Sequence, residues 1–232
     1  MPKVFATGDI HGDMQINRLG SSGFPQGKDL TKEDIVIILG DFGLLWEYTV
    51  SGTEKYWLDW LEAKPWTTVF IDGNHENFVR LYELPTEERF GADVGIIRPS
   101  IYHLRRGRIY TIGGQTFFAF GGALSIDKDR RIQGISWWSE EIPSRKEFHD
   151  AADLLDKQEY VDFILTHAAP LSILIKLGIY INHIKYRDPT TQMLDCFEKT
   201  TRYGLWLCGH YHVDQKIERV HLLYEDIVQI ME

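Results

Sequence analysis

The sequence predicts an α/β fold with mixed β-sheets, two of them packed together and helices outside. Three observations carry this expectation. Short apolar runs recur along the chain, and each closes on a turn rich in Gly, Asp, Asn or His. Helical patterns fall between several of those runs. A third stretch, Tyr102 to Phe120, packs three strand-like segments into nineteen residues.

The apolar runs come in order as Val4-Phe5-Ala6-Thr7, Ile35-Val36-Ile37-Ile38-Leu39, Thr68-Val69-Phe70-Ile71, Phe163-Ile164-Leu165-Thr166 and Leu205-Trp206-Leu207-Cys208. They are continuous rather than alternating, as in strands covered on both faces. Between them, Trp57, Leu58 and Leu61 suggest a helix halted near Pro65. Ser144-Arg145-Lys146-Glu147 has capping-box spacing ahead of Phe148, Ala151, Ala152, Leu154 and Leu155. Asp188-Pro189 offers an N-cap and a first-turn proline before Met193, Leu194 and Phe197. Strands alternating with helices indicate an α/β fold. From Tyr102 to Phe120, Gly107 and Gly113-Gly114 punctuate the segments as in successive hairpins. Gln215 to Val220 and Leu222 to Ile230 read as a closing pair of strands.

The chain has 232 residues and contains no internal repeat or Pro/Gly/Ser-rich linker, so residues 1–232 are expected to form a single domain. Residues 124–143 are a candidate substrate-shaping cap. Hydrophobic residues make up 44% and charged residues 25%, an ordinary balance for a globular protein. Cys196 and Cys208 form no CxxC pair and are read as reduced thiols. A formal charge of −9 lacks the broad basic surface of a nucleic-acid binder, which disfavours nucleic acid as a partner. Met1-Pro2-Lys3-Val4-Phe5 runs straight into a strand rather than an apolar leader. No apolar run approaches the ~20 residues needed to cross a bilayer. The expectation is a cytoplasmic protein with no membrane segment; oligomeric state is not legible.

Five strand ends deliver metal-ligating side chains: Asp9 and His11; Asp41; Asn74; His167; and His210 with His212. In open α/β sheets, sites gather outside the carboxyl ends of the strands. Asp9 and His11 lie two apart in a glycine-flanked loop, as do His210 and His212 behind Gly209, so each pair can turn toward a common point. Mixed carboxylate, amide and imidazole donors suit Mn²⁺, Fe, Zn²⁺ or Co²⁺ better than Ca²⁺. Seven donors are too many for one tetrahedral zinc and about right for two metals sharing a carboxylate.

The ordered motifs Asp9-x-His11, Gly40-Asp41, Gly73-Asn74-His75-Glu76, His167 and Gly209-His210-Tyr211-His212 span nearly the whole chain. In this order the sequence resembles the calcineurin-like metallophosphoesterase superfamily. The resemblance implies a four-layer α-β-β-α sandwich with the metals at the sheet edge. It implies two divalent ions, Mn²⁺ first and Fe, Zn, Co or Ni also compatible. One would take Asp9, His11, Asp41 and His212. The other would take Asp41, Asn74, His167 and His210, and Asp41 would bridge them at a separation of ~3.5–4 Å. It further implies hydrolysis of a phosphate monoester or diester by metal-activated hydroxide, with His75 as general acid to the leaving group. The competing readings are a non-catalytic interaction scaffold on the same fold, or a nucleotide-binding module without turnover. Completeness of the seven donors and presence of His75 favour an enzyme.

The sequence departs from one subgroup. Protein Ser/Thr phosphatases of the superfamily carry Gly-Asp-x-x-Asp-Arg-Gly, whereas this chain reads Gly40-Asp41-Phe42-Gly43-Leu44-Leu45-Trp46. Leu44 replaces the Asp that orients the catalytic His, and Leu45 replaces the phosphate-binding Arg. Phosphorylated small molecules, nucleotides and phosphoproteins all remain candidate substrates, with phosphoproteins disfavoured. Arg130 and Arg131 are candidates for substrate contact, each able to pair bidentately with phosphate oxygens. The competing reading is a solvated charged turn. Trp137 and Trp138 are read as core or lid packing ahead of a stacking platform. His103, His149, His183 and His221 match no motif and are read as structural or surface residues. Asp13 is expected to be a helix N-cap, Glu76 to support His75 or its loop, and Asp72 to stand behind the ligands.

Overall fold

The protein is described here from a computed structural model, over residues 1–179 and 188–232. His183 lies outside the described residues. Two mixed sheets form the molecule's centre, and helices cover their outer faces.

The first sheet collects β1 (Val4–Thr7), β2 (Ile35–Ile38), β3 (Thr67–Phe70), β4 (Thr86–Arg89), β5 (Ala92–Arg98), β6 (Ile101–Leu104) and β13 (Ile227–Met231) in the order β13-β1-β2-β3-β6-β5-β4. The second collects β7 (Arg108–Ile112), β8 (Gln115–Phe120), β9 (Val161–Thr166), β10 (Tyr203–Cys208), β11 (Gln215–Ile217) and β12 (Val220–Leu222) in the order β11-β12-β10-β9-β8-β7. β1, β2 and β3 are mutually parallel, as are β8, β9 and β10. Parallel pairing directs the carboxyl ends of consecutive strands to one edge of each sheet, where the candidate ligands follow.

Burial of both faces explains the continuous apolar runs. Alternate residues of β1 to β3 (Val4, Ala6, Ile35, Ile37, Val69) point inward against Phe117, Ala119, Phe163, Leu165 and Leu207 of the second sheet. The other set (Phe5, Val36, Ile38, Phe70) meets α1 (Gly52–Glu62) through Leu58 and Leu61. On the far side, Phe118, Phe120, Ile164 and Trp206 meet α3 (Arg145–Leu155), α4 (Leu171–Lys176) and α5 (Pro189–Thr200). The result is the four-layer arrangement. Leu165 is fully buried between the sheets, where truncation to Ala costs about 2–5 kcal/mol.

The three expected helices form as their caps dictate. Ser51 accepts the Glu54 amide at the start of α1, which stops short of Pro65. Ser144 and Glu147 close a reciprocal capping box on α3. Asp188 caps α5, with Pro189 at its first position.

Three expectations need correction. Tyr102–Leu104 and Arg108–Ile112 do not form a hairpin: β6 pairs with β3 and β5, whereas β7 pairs with β8 in the other sheet. The chain changes sheets at 105–107. The closing pair is likewise three strands. β11 and β12 form a hairpin, and β13 crosses back to pair with β1. Asp13 caps nothing; it lies inside a short 3-10 turn, Gly12–Met14, that begins after His11. The β4–β5 hairpin and α2 (Phe78–Tyr82) were not anticipated. No helix among the described residues is long and apolar enough to cross a membrane.

Candidate metal centre

All seven sequence-predicted donors meet at the carboxyl ends of β1, β2, β3, β9 and β10. The loops that carry them are bent sharply. Six non-glycine residues among those described have positive φ, and four are candidate donors: His11, Asp41, His210 and His212. A left-handed conformation costs an ordinary side chain about 1–2 kcal/mol, and such strain concentrates at functional sites. Glycine makes room for the rest. A Cβ on Gly40 would overlap the His167 ring, and one on Gly209 would run into the Asp9 carboxylate.

Asp41 sits at the centre, 2% exposed. Its Oδ1 accepts the Asn74 and His75 amides, each at 2.8 Å, and lies 3.3 Å from His167 Nε2. Its Oδ2 turns the other way, 3.8 Å from His11 Nδ1. Asp9 Oδ1 accepts the His210 amide at 2.9 Å, while Oδ2 faces His212 Nε2 at 3.1 Å and His11 Nε2 at 3.8 Å. Two donor groups result, Asp9/His11/His212 and Asp41/His167/His210. Asn74 Oδ1 joins the second, 3.2 Å from His167 Nε2. A third grouping includes His75 with His11 and Asp41.

The residues present fit divalent cations. Asp9 and Asp41 are buried carboxylates, and among the described residues their ion pairs are with histidines only. Two buried negative charges without a Lys or Arg partner are costly unless a cation joins them. His167 Nδ1 faces the Leu39 carbonyl at 2.7 Å. With Nδ1 donating there, a neutral ring would aim the Nε2 lone pair at two oxygens, Asp41 Oδ1 and Asn74 Oδ1, and without metal a proton takes the place of the cation. Three electron-rich atoms around one point call for a cation. Burial opposes charging His167, but Asp41 and Asp9 outweigh it and push its pKa up to about 10 without metal. Burial, with His167 beside it, drives His210 down to about 3, leaving an unprotonated nitrogen. Neutral imidazole is the form that binds metal.

Side chains behind the donors hold them. Glu76 accepts the Phe42 amide at 2.7 Å and the Gly43 amide at 3.3 Å, so it supports the loop after Asp41 rather than its own. Burial and the nearby Asp41 charge raise its pKa well above the usual carboxylate range. Asp72 pairs with Arg106 (Nε at 2.6 Å) and with His103 at 3.1 Å, neither of them a candidate donor. Burial opposes its charge, and Arg106 prevails. Arg106 also donates to the Glu140 and Glu141 carbonyls. Asn74 Nδ2 donates to Ser125 Oγ at 3.1 Å, and Ser125 Oγ donates to Glu141 at 2.7 Å. This chain turns the amide oxygen of Asn74 inward. Tyr224 stacks on His212 with centroids 4.4 Å apart. Ser125, Glu141, Arg106 and Tyr224 escaped the sequence reading because no motif spacing links them to the ligands.

His75 lies beside the donors. Arg131 Nη2 donates to its Nε2 at 3.1 Å, and Trp46 stacks on its other side. Burial lowers the His75 pKa, Asp41 opposes that, and Arg131 adds to it. Arg130 is exposed and is not brought to the centre. Trp138 is buried in the core against Trp46.

Carboxylate, amide and imidazole donors gathered at the ends of parallel strands place the protein among metal-binding α/β enzymes. The particular family follows from comparison: residues 2–214 match the family model for calcineurin-like phosphoesterases, and the chain belongs to that family. It is 27% identical over 207 residues to the lariat debranching enzyme of Schizosaccharomyces pombe, an alignment covering 78% of this chain and 43% of that enzyme. The chain thus spans less than half the length of that relative. Among solved structures, the phosphopantetheinyl hydrolase of Mycobacterium tuberculosis aligns with a TM-score of 0.45 at 16% identity, covering 96% of this chain and 88% of that one.

Proposed function

We propose that the protein is a dinuclear-metal hydrolase of phosphoric esters, with Asp9, His11, Asp41, Asn74, His167, His210 and His212 as ligands. The observation that carries this reading is the posture of Asp41. Its two oxygens face separate sets of histidines, as a bridging carboxylate requires. Two divalent ions, Mn²⁺ by preference, would supply an activated water near neutral pH and charge to neutralise the phosphoryl oxygens.

The chain's own residues divide the remaining work. Arg131, tied through Nε to Asp127 at 2.8 Å and through Nη1 to the Ser136 carbonyl at 3.3 Å, turns Nη2 toward His75 and the centre. A phosphoryl group arriving there accepts from Nη2, which releases His75 Nε2. Freed from Arg131 and set beside the phosphoryl charge, His75 takes up a proton from solvent at Nε2 and passes it to the leaving oxygen as the ester bond breaks. Leu44 and Leu45, 4% exposed each, are packed in the core and offer the phosphate nothing. Arg131 reaches the site from a different loop than the phosphoprotein phosphatases use, which favours a substrate other than a phosphoprotein.

The test strips the protein with chelator, reloads it with Mn²⁺, and follows p-nitrophenyl phosphate and bis-p-nitrophenyl phosphate. Turnover restored by metal supports the reading. Full metal occupancy with no turnover of either ester, or of a nucleotide panel, would leave a binding scaffold in its place.

A further inference from the structure

Two cavities, about 550 Å³ and 590 Å³, open from the candidate centre. They share His11, Met14 and His75 in their walls. The His11 and His75 rings meet edge to face, centroids 4.9 Å apart, and partition the space. The larger cavity lies over the donors, since Asp41, Asn74, His210 and His212 line it. Away from the donors, Leu124, Ile126, Leu174, Ile179 and Tyr211 line it around Arg131, with Asp127, Asp188 and Thr191 among them.

The smaller cavity is more polar, although Met14, Leu44 and Trp46 also line it. Thr49, Ser51 and Thr53 line it with Asp13, Glu47 and Glu54. Among its described lining residues there is no Lys or Arg. Glu54 is matched by Arg80, which donates to both its oxygens at 2.7 and 2.8 Å. Glu47 is exposed at the rim. Hydroxyls and carboxylates accept hydrogen bonds from alcohols, whereas a phosphate placed there would meet negative charge with no counter-ion.

A phosphoryl group beside His75 therefore has room on both sides. A monoester has one organic arm and fills one cavity; a diester has two. We propose that the substrate is an unsymmetrical phosphodiester. Its leaving alcohol is planar or apolar and lies against Leu124, Ile126 and Tyr211. Its other alcohol is hydroxylated, carries no further phosphate, and lies along Thr49, Thr53 and Glu47. This rests on the hydrolase reading and narrows it. A continuing nucleic-acid strand, with a phosphate on every sugar, is disfavoured by the same carboxylates.

Three chromogenic esters test the proposal on the Mn²⁺-loaded full chain: p-nitrophenyl phosphate, the p-nitrophenyl ester of thymidine 5′-phosphate, and that same ester bearing a 3′-phosphate. The expected order in kcat/KM puts the thymidine diester first, about ten-fold above the monoester and about ten-fold above its 3′-phosphorylated form. Glu47→Lys should raise the ratio of the 3′-phosphorylated to the plain diester several-fold, a ratio from which any general loss of activity cancels. A monoester turned over at least as fast as the diester overturns the two-arm assignment while leaving the hydrolase reading intact. A 3′-phosphate that improves turnover, or a ratio unmoved by Glu47→Lys, overturns the assignment of the second arm. No metal-restored turnover of any ester overturns the hydrolase reading, and this proposal with it.

Discussion

Arg131 Nη2 lies 3.1 Å from His75 Nε2, and guanidinium can only donate, so the imidazole accepts there. A cation thus holds the histidine where the related protein phosphatases are expected to use a carboxylate. The contact comes from the 124–143 segment, which also reaches Asn74 through Ser125. One loop therefore touches a candidate metal ligand and the candidate acid.

Arg131→Ala should weaken the grip on the phosphoryl group. A hydrogen bond to a charged partner is worth about 1.5–3 kcal/mol, so kcat/KM should fall about ten- to a hundred-fold. Arg131→Lys should not restore it, because an ammonium lacks the fork that holds Asp127 and the Ser136 carbonyl while it reaches the phosphoryl group. Steady-state kinetics decide: a lysine variant equal to the parent would remove the need for the guanidinium fork.

His75→Ala should keep its metals and lose rate, by about 10²–10⁴-fold for an ester with a poor leaving group. The loss should shrink as the leaving group improves, since a good one needs little protonation. A leaving-group series read at constant metal occupancy checks this, and an equal loss throughout would exclude His75 as the acid.

Ser125→Ala should loosen metal binding without touching a ligand. Ser125 Oγ accepts a hydrogen bond from Asn74 Nδ2 at 3.1 Å and donates one to Glu141 at 2.7 Å. Without it the Asn74 amide is free to rotate its oxygen away. Partners of this kind tune metal affinity by about 10–100-fold. Competition against a chelator measures the change; affinity equal to the parent would mean that Asn74 needs no such support.

The legible part of the site was the part written locally. An apolar run, a glycine and two donors two residues apart mark the ends of β1 and β10, in Gly8-Asp9-Ile10-His11 and Gly209-His210-Tyr211-His212; β2 and β3 offer a glycine and one donor, and β9 offers His167 without a glycine. Sheet membership was not legible. Ile101–Leu104 and Arg108–Ile112 have similar composition and are close in sequence, yet only the pairing of β6 with β3 sends them to different sheets. Arg130 and Arg131 are indistinguishable as neighbours in a charged turn. The 3-10 turn Lys128–Arg130 leaves one exposed and brings the other to His75. No motif marks Glu141, which is fully buried with Ser125 donating to both its carboxylate oxygens from another part of the same loop.

Fold stability should carry a pH signature at Asp34. Its carboxylate accepts the Lys3 and Thr31 amides, each at 2.7 Å, and ties the start of β1 to that of β2. Burial favours the protonated form, but these donors outweigh it and hold the pKa below the ordinary 3.8. A depressed folded-state pKa gives stability that is present above the unfolded value and lost as pH falls through the folded one. Asp34→Asn should therefore cost about 1–3 kcal/mol at neutral pH. Denaturant melts at neutral pH and below pH 3 should show that difference shrinking; a constant difference would mean the charge contributes nothing.

The bridging posture of Asp41 is the centre of the account, and counting metal tests it most directly. Chelator-stripped protein would be reloaded with Mn²⁺, freed of excess ion, and measured for bound metal per chain, with Asp41→Asn in parallel. The account predicts two ions in the parent and at most one in the variant, because the variant loses the charge that both sites share. Two ions retained by Asp41→Asn, or fewer than two in the saturated parent, would contradict a dinuclear centre built on this carboxylate.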